Sequence, residues 1–356
     1  MNDQDFVRKA LEMRFLTPGL AEEARAVQDQ ILQMGMELSI PEICIRRRFM
    51  TQEQVDAVSG PQAQPTGRRF GPFILQAKLG EGGMGTVYRA VKEKTGETLA
   101  LKIMPRKLLT DEELQSRFKR EARIATSLNH PHIVRGLEYG EIEKRFYFAM
   151  EYVDGTLLSE IIESQGILSE RQALDIAIQV GEAVQEIDRR SLIHRDIKPE
   201  NVILDRSQVA KLMDLGLMKS VLLDMTTLTK TGFTVGTPHY MSHEQIMGRK
   251  DIDIRADIYS LGATLYHMVA GDAPFGKIPM MEMLERFMQL KLVDPRNRQP
   301  GLTESFCVVL SRMMAKERKD RYGTPAAMLE DLRAVRQGKP PSSRSIAVAA
   351  PPRKKQ

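Results

Sequence analysis

A chain of 356 residues that is 42% hydrophobic and 28% charged is ordinary globular material, long enough for one large domain with an appendage and far from a disordered composition. Its formal net charge is +5, but the stretch from Leu332 onward holds seven Lys/Arg and no Asp or Glu, which leaves everything before it at about −2. That balance argues against a nucleic-acid binder built on a basic domain face, leaving only the tail for such a reading, and no apolar run approaches the ~20 residues of a bilayer span.

The N-terminus, Met1 to Asp5, is acidic and polar, unlike a signal peptide. Cys44 and Cys307 lie far apart without metal-ligand spacing and read as buried thiols of a reducing compartment, so a cytoplasmic location is expected. Residues 1–58 read as a small all-helical domain. Phe6, Ala10, Leu11 and Met13 suit one helical face, and Ala24, Val27, Ile31 and Met34 another. A weak echo runs through this stretch: Phe15-Leu16-Thr17 followed by Leu20 and Ala21 resembles Phe49-Met50-Thr51 followed by Val55 and Ala57. In both, the Thr is placed to cap the following helix, with Glu23 or Glu53 nearby to favour its N-terminus. Two copies are too few for a solenoid.

Residues 59–69 are rich in Pro and Gly and read as a linker. From Phe70 the pattern turns to short strands at 73–75, 87–91 and 98–103. Thr110-Asp111-Glu112-Glu113 is a capping box, opening a helix with apolar Leu114, Phe118, Ala122, Ala125 and Leu128. Two further strands are expected at 133–139 and 145–152, and beyond Thr156 the chain reads mostly helical as far as residue 336. Residues 337–356 form a Pro/Ser/basic tail expected to stay disordered. The plan is α+β: a strand-rich lobe, then a helical lobe, with a helical N-terminal extension.

Chemistry concentrates in four strings. Gly80-Glu81-Gly82-Gly83-Met84-Gly85-Thr86-Val87 lies between two strands, so its glycines suit a phosphate-covering hairpin rather than the strand-turn-helix of a dinucleotide site. Lys102 is a lone lysine in an apolar strand and needs a partner, for which Glu121 is a candidate. His194-Arg195-Asp196-Ile197-Lys198-Pro199-Glu200-Asn201 brings a carboxylate for an attacking hydroxyl, a lysine for phosphate charge and an amide oxygen for a metal into one loop. Asp214, in Met213-Asp214-Leu215-Gly216, adds a second metal-binding group.

Over roughly residues 70 to 336 these strings resemble, in order and spacing, the protein kinase superfamily, specifically the eukaryotic-like Ser/Thr kinases of bacteria. The resemblance implies the bilobal protein kinase fold and a non-specific Ser/Thr protein kinase that moves the γ-phosphate of ATP, with Mg²⁺, onto hydroxyls of protein substrates. Asp196 would orient and deprotonate the hydroxyl, Lys198 neutralise the transferred group, and Lys102, paired with Glu121, hold the α- and β-phosphates. Asn201 and Asp214 would ligate Mg²⁺. Met150 would gate the back of the adenine pocket, the Glu151 and Val153 backbone would bind adenine, and Val87, Ala100 and Leu204 would sandwich the ring. Asp257 resembles the aspartate that braces the catalytic loop, and Glu244 and Arg321 the pair that ties down the end of the activation segment. Arg195 would answer phosphorylation of that segment, with autophosphorylation expected at Thr229, Thr231 or Thr234. Thr237 would bond Asp196 or Lys198.

Two departures stand out. Leu215 replaces the usual Phe, and Ser242-His243-Glu244 replaces Ala-Pro-Glu, losing proline's fixed φ. His239 and His243 are four apart, but no carboxylate completes a zinc motif. The rival reading is a nucleotide-sensing pseudokinase scaffold, which the presence of Lys102, Glu121, Asp196, Asn201 and Asp214 disfavours. Residues 1–58 would dock a partner or dimerise; nucleic-acid binding is not expected.

Overall fold

The computed structural model describes residues 3–33, 39–47, 49–59, 68–82, 85–105, 112–214, 238–276 and 293–342. The chain divides into two compact units: Met1–Lys78 with Ala90–Gly96, and Leu79–Arg89 with Glu97–Gln356.

The first unit opens with four helices, α1 (Asp3–Glu12), α2 (Pro18–Gln33), α3 (Ile40–Arg46) and α4 (Gln52–Ser59). The sequence echo is a structural duplication, repeated bond for bond at a constant offset. Ala10 O accepts from the amides of Phe15 and Leu16, as Cys44 O does from those of Phe49 and Met50. Thr17 Oγ1 caps α2 by accepting from Leu20 N at 3.3 Å, as Thr51 Oγ1 caps α4 by accepting from Gln54 N at 3.3 Å. Gln54 completes a capping box there by accepting from Thr51 N at 2.9 Å.

Phe6, Ala10, Leu16, Ala24, Ile40, Cys44, Met50, Val55 and Val58 are buried in one core, with Leu11 and Val27 packed against it. Met13 is exposed because α1 ends at Glu12, and on α4 Val58 is buried one turn on from Val55 while Ala57 is exposed. Burial pushes the Cys44 thiol, near Asp3, up to about 11. In the same unit β1 (Arg68–Phe70) pairs antiparallel with the start of β2 (Phe73–Gly82), and Arg69 bridges Glu93. The Ile31 side chain and Met34 lie outside the described residues, as do most of the expected linker and the tail beyond Ser342.

In the second unit, the Gly85–Arg89 part of β3 (Gly85–Lys92), β4 (Thr98–Ile103), β6 (Arg145–Glu151) and β5 (Gly136–Ile142) lie side by side in that order. In the antiparallel register of β4 with β6, Ala100 faces Met150 and Lys102 faces Phe148. Ile133, expected to open β5, instead forms a parallel bridge with Leu212, because Leu212 N donates to His132 O and Val134 N to Leu212 O. Helix α5 (Glu112–Ser127) covers the sheet with Phe118, Ala122 and Ala125, while its expected capping box falls outside the described residues.

A small sheet in the order β7 (Gly155–Leu157), β8 (Val202–Asp205), β9 (Ala210–Leu212) lies with the helical part. That part comprises α6 (Leu158–Gln165), α7 (Glu170–Arg189), α8 (His243–Ile246), α9 (Arg255–Ala270), α10 (Glu304–Met313) and α11 (Pro325–Arg336). Ser169 and Gln172 form a capping box at α7. Helix α9 is buried almost all round and ends where Gly271, at φ +73, adopts the left-handed conformation. Cys307 on α10 is buried, which pushes its thiol up to about 11.

Candidate active site

The sequence places a buried carboxylate beneath the loop that carries Asp196. Asp257 sits in the first turn of α9, fully buried, and accepts from the amides of His194 at 2.6 Å and Arg195 at 2.8 Å. Burial pushes its carboxyl up, against the pull of His194 and those two amides. Arg195 has φ +65, a left-handed conformation that costs a non-glycine residue about 1–3 kcal/mol. It is held on both sides: its N–H donates to Asp257, and its C=O accepts from Gln245 Nε2 at 3.1 Å.

The loop is also tied to the segment entering Asp214. His194 Nδ1 accepts from Asp196 N at 3.3 Å, so Nε2 carries the proton and donates to Met213 O at 2.9 Å. Met213 N donates to Asn201 O at 2.8 Å. Asp214, next along, is a second left-handed residue at φ +51. Both strained residues therefore flank one polar network, which fixes where two carboxylates point.

Asn201 Nδ2 donates to Asp196 Oδ2 at 2.9 Å and to Asp196 O at 2.8 Å. That fixes the amide and turns its oxygen away from Asp196. The Lys198 ammonium lies 4.0 Å from Asp196 Oδ2. Lys102, buried in β4, donates from Nζ to Asp214 Oδ1 at 2.8 Å. Burial would raise the Asp214 carboxyl, but Lys102, with help from His194 and Lys198, outweighs it and holds the group below the usual range. Glu121, expected to pair with Lys102, sits half-buried on α5. An amide oxygen and one carboxylate form a sparse, all-oxygen set that suits Mg²⁺ completed by phosphate oxygens and water.

Beside these groups lies a single apolar cluster. Ala100 and Met150 are buried in it, with Val87, Val153, Ile203 and Met213 packed against them. Leu204, the third residue expected beside Val87 and Ala100, is not in this cluster. Leu204 belongs to the core of the helical part, and Ile203 takes the place beside Val87 and Ala100. Side chains alternate along a strand, and β8 directs Val202 and Leu204 inward, so Ile203 faces the opposite way. Sequence reasoning missed Ile203 and Met213; Val202, Ile203 and Leu204 are all apolar, so the string carries no signal that singles out Ile203.

Gly80, Glu81 and Gly82 form the exposed end of β2. At Gly85, with φ +124, a Cβ would lie 2.3 Å from Ile103 O, so only glycine lets β3 approach β4 there. Gly83, Met84, Leu215, Thr229, Thr231, Thr234 and Thr237 lie outside the described residues.

Glu244 and Arg321 form a buried bidentate pair at 2.7 and 2.9 Å. The remaining guanidinium donors go to the carbonyls of Ala315, Arg255 and Lys316, and the group lies 5.0 Å from the Tyr259 ring centre. Burial would raise the Glu244 carboxyl, but the Arg321 hydrogen bonds and charge hold it below the usual range. Rigidity that proline would supply at His243 comes from Ser242 and Gln245, which cap α8, and from the edge-on contact of His243 with Tyr259. His239 lies in the preceding 3-10 turn, not on α8, so the two histidines share no helical face.

A strand-rich lobe with a covering helix, a helical lobe, and two polar clusters, Lys102 with Asp214 and Asp196 with Lys198 and Asn201, tied together through Met213 N and Asn201 O, define a protein kinase domain. Residues 73–332 match the family described as Protein kinase domain, and the chain belongs to that family. It is 33% identical over 276 residues to the serine/threonine-protein kinase PknB of Mycobacterium leprae, an alignment covering 76% of this chain and 44% of that protein. Identity to PknB of Mycobacterium tuberculosis is 32% over 282 residues, covering 78% and 45%. The chain thus spans less than half the length of these relatives. The crystal structure of the PknI kinase domain of Mycobacterium tuberculosis superposes with a TM-score of 0.61 at 28% identity, covering 76% of this chain and 99% of that one.

Proposed function

We propose that this chain is a Ser/Thr protein kinase that transfers the γ-phosphate of ATP to Ser/Thr hydroxyls of protein substrates. The observation that carries this reading is the Asp196 carboxylate, fixed by Asn201 Nδ2 at 2.9 Å with the Lys198 ammonium 4.0 Å away. A hydroxyl donating to Asp196 is oriented toward the phosphate. As its oxygen bonds to phosphorus, its proton passes to Asp196 and the bond to the β-phosphate oxygen breaks, releasing ADP. The transition state is loose, so positioning and charge neutralisation dominate, and Lys198 and Lys102 supply positive charge. Bound Mg²⁺, held by Asn201 and Asp214, would neutralise phosphate charge. Glu121 pairs with Lys102 to hold the α- and β-phosphates.

Adenine lies against Val87, Ala100 and Ile203, with Met150 behind it and the Glu151 and Val153 backbone at its edge. The exposed Gly80–Gly82 end of β2, with Gly83, Met84 and Gly85, covers the phosphates. Autophosphorylation at Thr229, Thr231 or Thr234 adds about −2 of charge each, which Arg195 answers, while Thr237 bonds Asp196 or Lys198. Residues 1–58 dock a partner or a second copy, and the enzyme works in the cytoplasm. No helix among the described residues is long and apolar enough to cross a membrane.

The test is phosphate transfer from labelled ATP with Mg²⁺ to the chain itself and to a generic basic protein. Transfer by wild type that vanishes in Asp196→Ala is expected. Binding of ATP with no transfer by wild type would replace the kinase reading with a nucleotide-sensing scaffold.

A further inference from the structure

The Glu151 side chain, as distinct from its backbone, bridges two strands beside the candidate site. It ends β6, and its N–H donates to Arg135 O at 2.9 Å. Its Oε1 accepts from Arg135 N at 3.0 Å and from Lys211 Nζ at 2.7 Å. Lys211 lies on β9, opposite Ile203 in the register with β8, and Asp214 follows three positions later. One carboxylate oxygen therefore links the strand leading to the adenine edge with the strand leading to a phosphate-side carboxylate.

Each partner also neighbours a residue of the apolar cluster. Met150 precedes Glu151 on β6, and Ile203 faces Lys211 across β8, and both belong to the cluster around Ala100. β9 is a three-residue edge strand, so few backbone bonds fix its distance from β6. Those it has run through Val134 and His132, beside the Arg135 amide that Glu151 holds. The pair's side chains are 19% and 30% exposed, sheltered enough for a charge-assisted bond to act as a fixed strut.

Resting on the kinase reading, we infer that the Glu151–Lys211 pair is a positioning device that sets the span between the adenine edge and Asp214. A ligand that touches both ends feels that span, and a ligand confined to the adenine end does not. Merely structural loosening would weaken both alike.

The experiment is calorimetric binding of adenosine and of ADP with Mg²⁺ to the full chain, with phosphate transfer by wild type measured in the same preparation. Lys211→Met removes the ammonium, and Glu151→Gln keeps an acceptor for Arg135 N while removing the charge. In both, ADP with Mg²⁺ is expected to weaken about tenfold and adenosine by less than about twofold, as for one misplaced charge-assisted contact. Lys211→Arg should restore the ADP affinity. Equal weakening of the two ligands, or of neither, in both variants overturns the positioning role while leaving the kinase reading intact. Wild type that binds neither ligand overturns both.

Discussion

Between His194 and Asn201 the backbone is pinned by a buried carboxylate, a ring nitrogen and a side-chain amide, whereas residues 3–59 are held by an apolar core and threonine caps. The loop accepts a strained Arg195 because directed bonds over-determine it. The helices carry no comparable buried polar network among the described residues and depend on close packing. Function needs atoms held at stated positions, which hydrogen bonds and charges specify and apolar contact does not.

Removing one partner of the Glu244–Arg321 pair should have the largest effect. Glu244→Ala strands a buried guanidinium and is expected to cost about 3–5 kcal/mol in denaturant unfolding. Its pH dependence has a definite sign. Arg321 holds the Glu244 carboxyl below its unfolded value, so the stabilisation is fully present above that value and is lost as pH falls through the folded one. The stability gap between wild type and Glu244→Gln should therefore narrow on acidification from pH 7 toward pH 3 in thermal melts.

In the helices, Phe6→Ala opens a cavity in the core and should cost about 3–4 kcal/mol, read by hydrogen exchange of residues 3–59. The buried cysteines report on the contrast directly, since each thiol is raised to about 11 and Cys44 and Cys307 lie in different cores. Phe6→Ala should speed alkylation of Cys44 and not of Cys307; equal acceleration of both would show that the two regions open together.

Asp257→Asn keeps the shape but replaces an oxygen acceptor that faces the His194 and Arg195 amides. Phosphate transfer should fall about a hundredfold, with a smaller change in melting temperature. The smallest effect is expected at the repeated cap: Thr51→Ala should lower stability by about 1 kcal/mol, and Thr17→Ala by less, since only Thr51 has a reciprocal partner in Gln54.

Much of the site was readable in one dimension. Asp196, Lys198 and Asn201 fall within six residues, where loop geometry alone brings them together, and Lys102 announced itself as a charge in an apolar strand. Even the duplicated hairpin left a trace at Phe15-Leu16-Thr17 and Phe49-Met50-Thr51. The difficulty came from neighbours on the same strand. Leu204 and Ile203 are both apolar, and only the packing of β8 shows which one joins the cluster around Ala100.

Residue chemistry and local spacing indicated the α+β plan and most of the candidate site groups, because those depend on side-chain type and on chain segments a few residues long. Tertiary structure decided the long-range ion pairs: Lys102 with Asp214 and Lys211 with Glu151. These contacts join residues some sixty to over a hundred positions apart, and a charge in a sequence carries no record of which opposite charge the folded chain will bring within three ångströms.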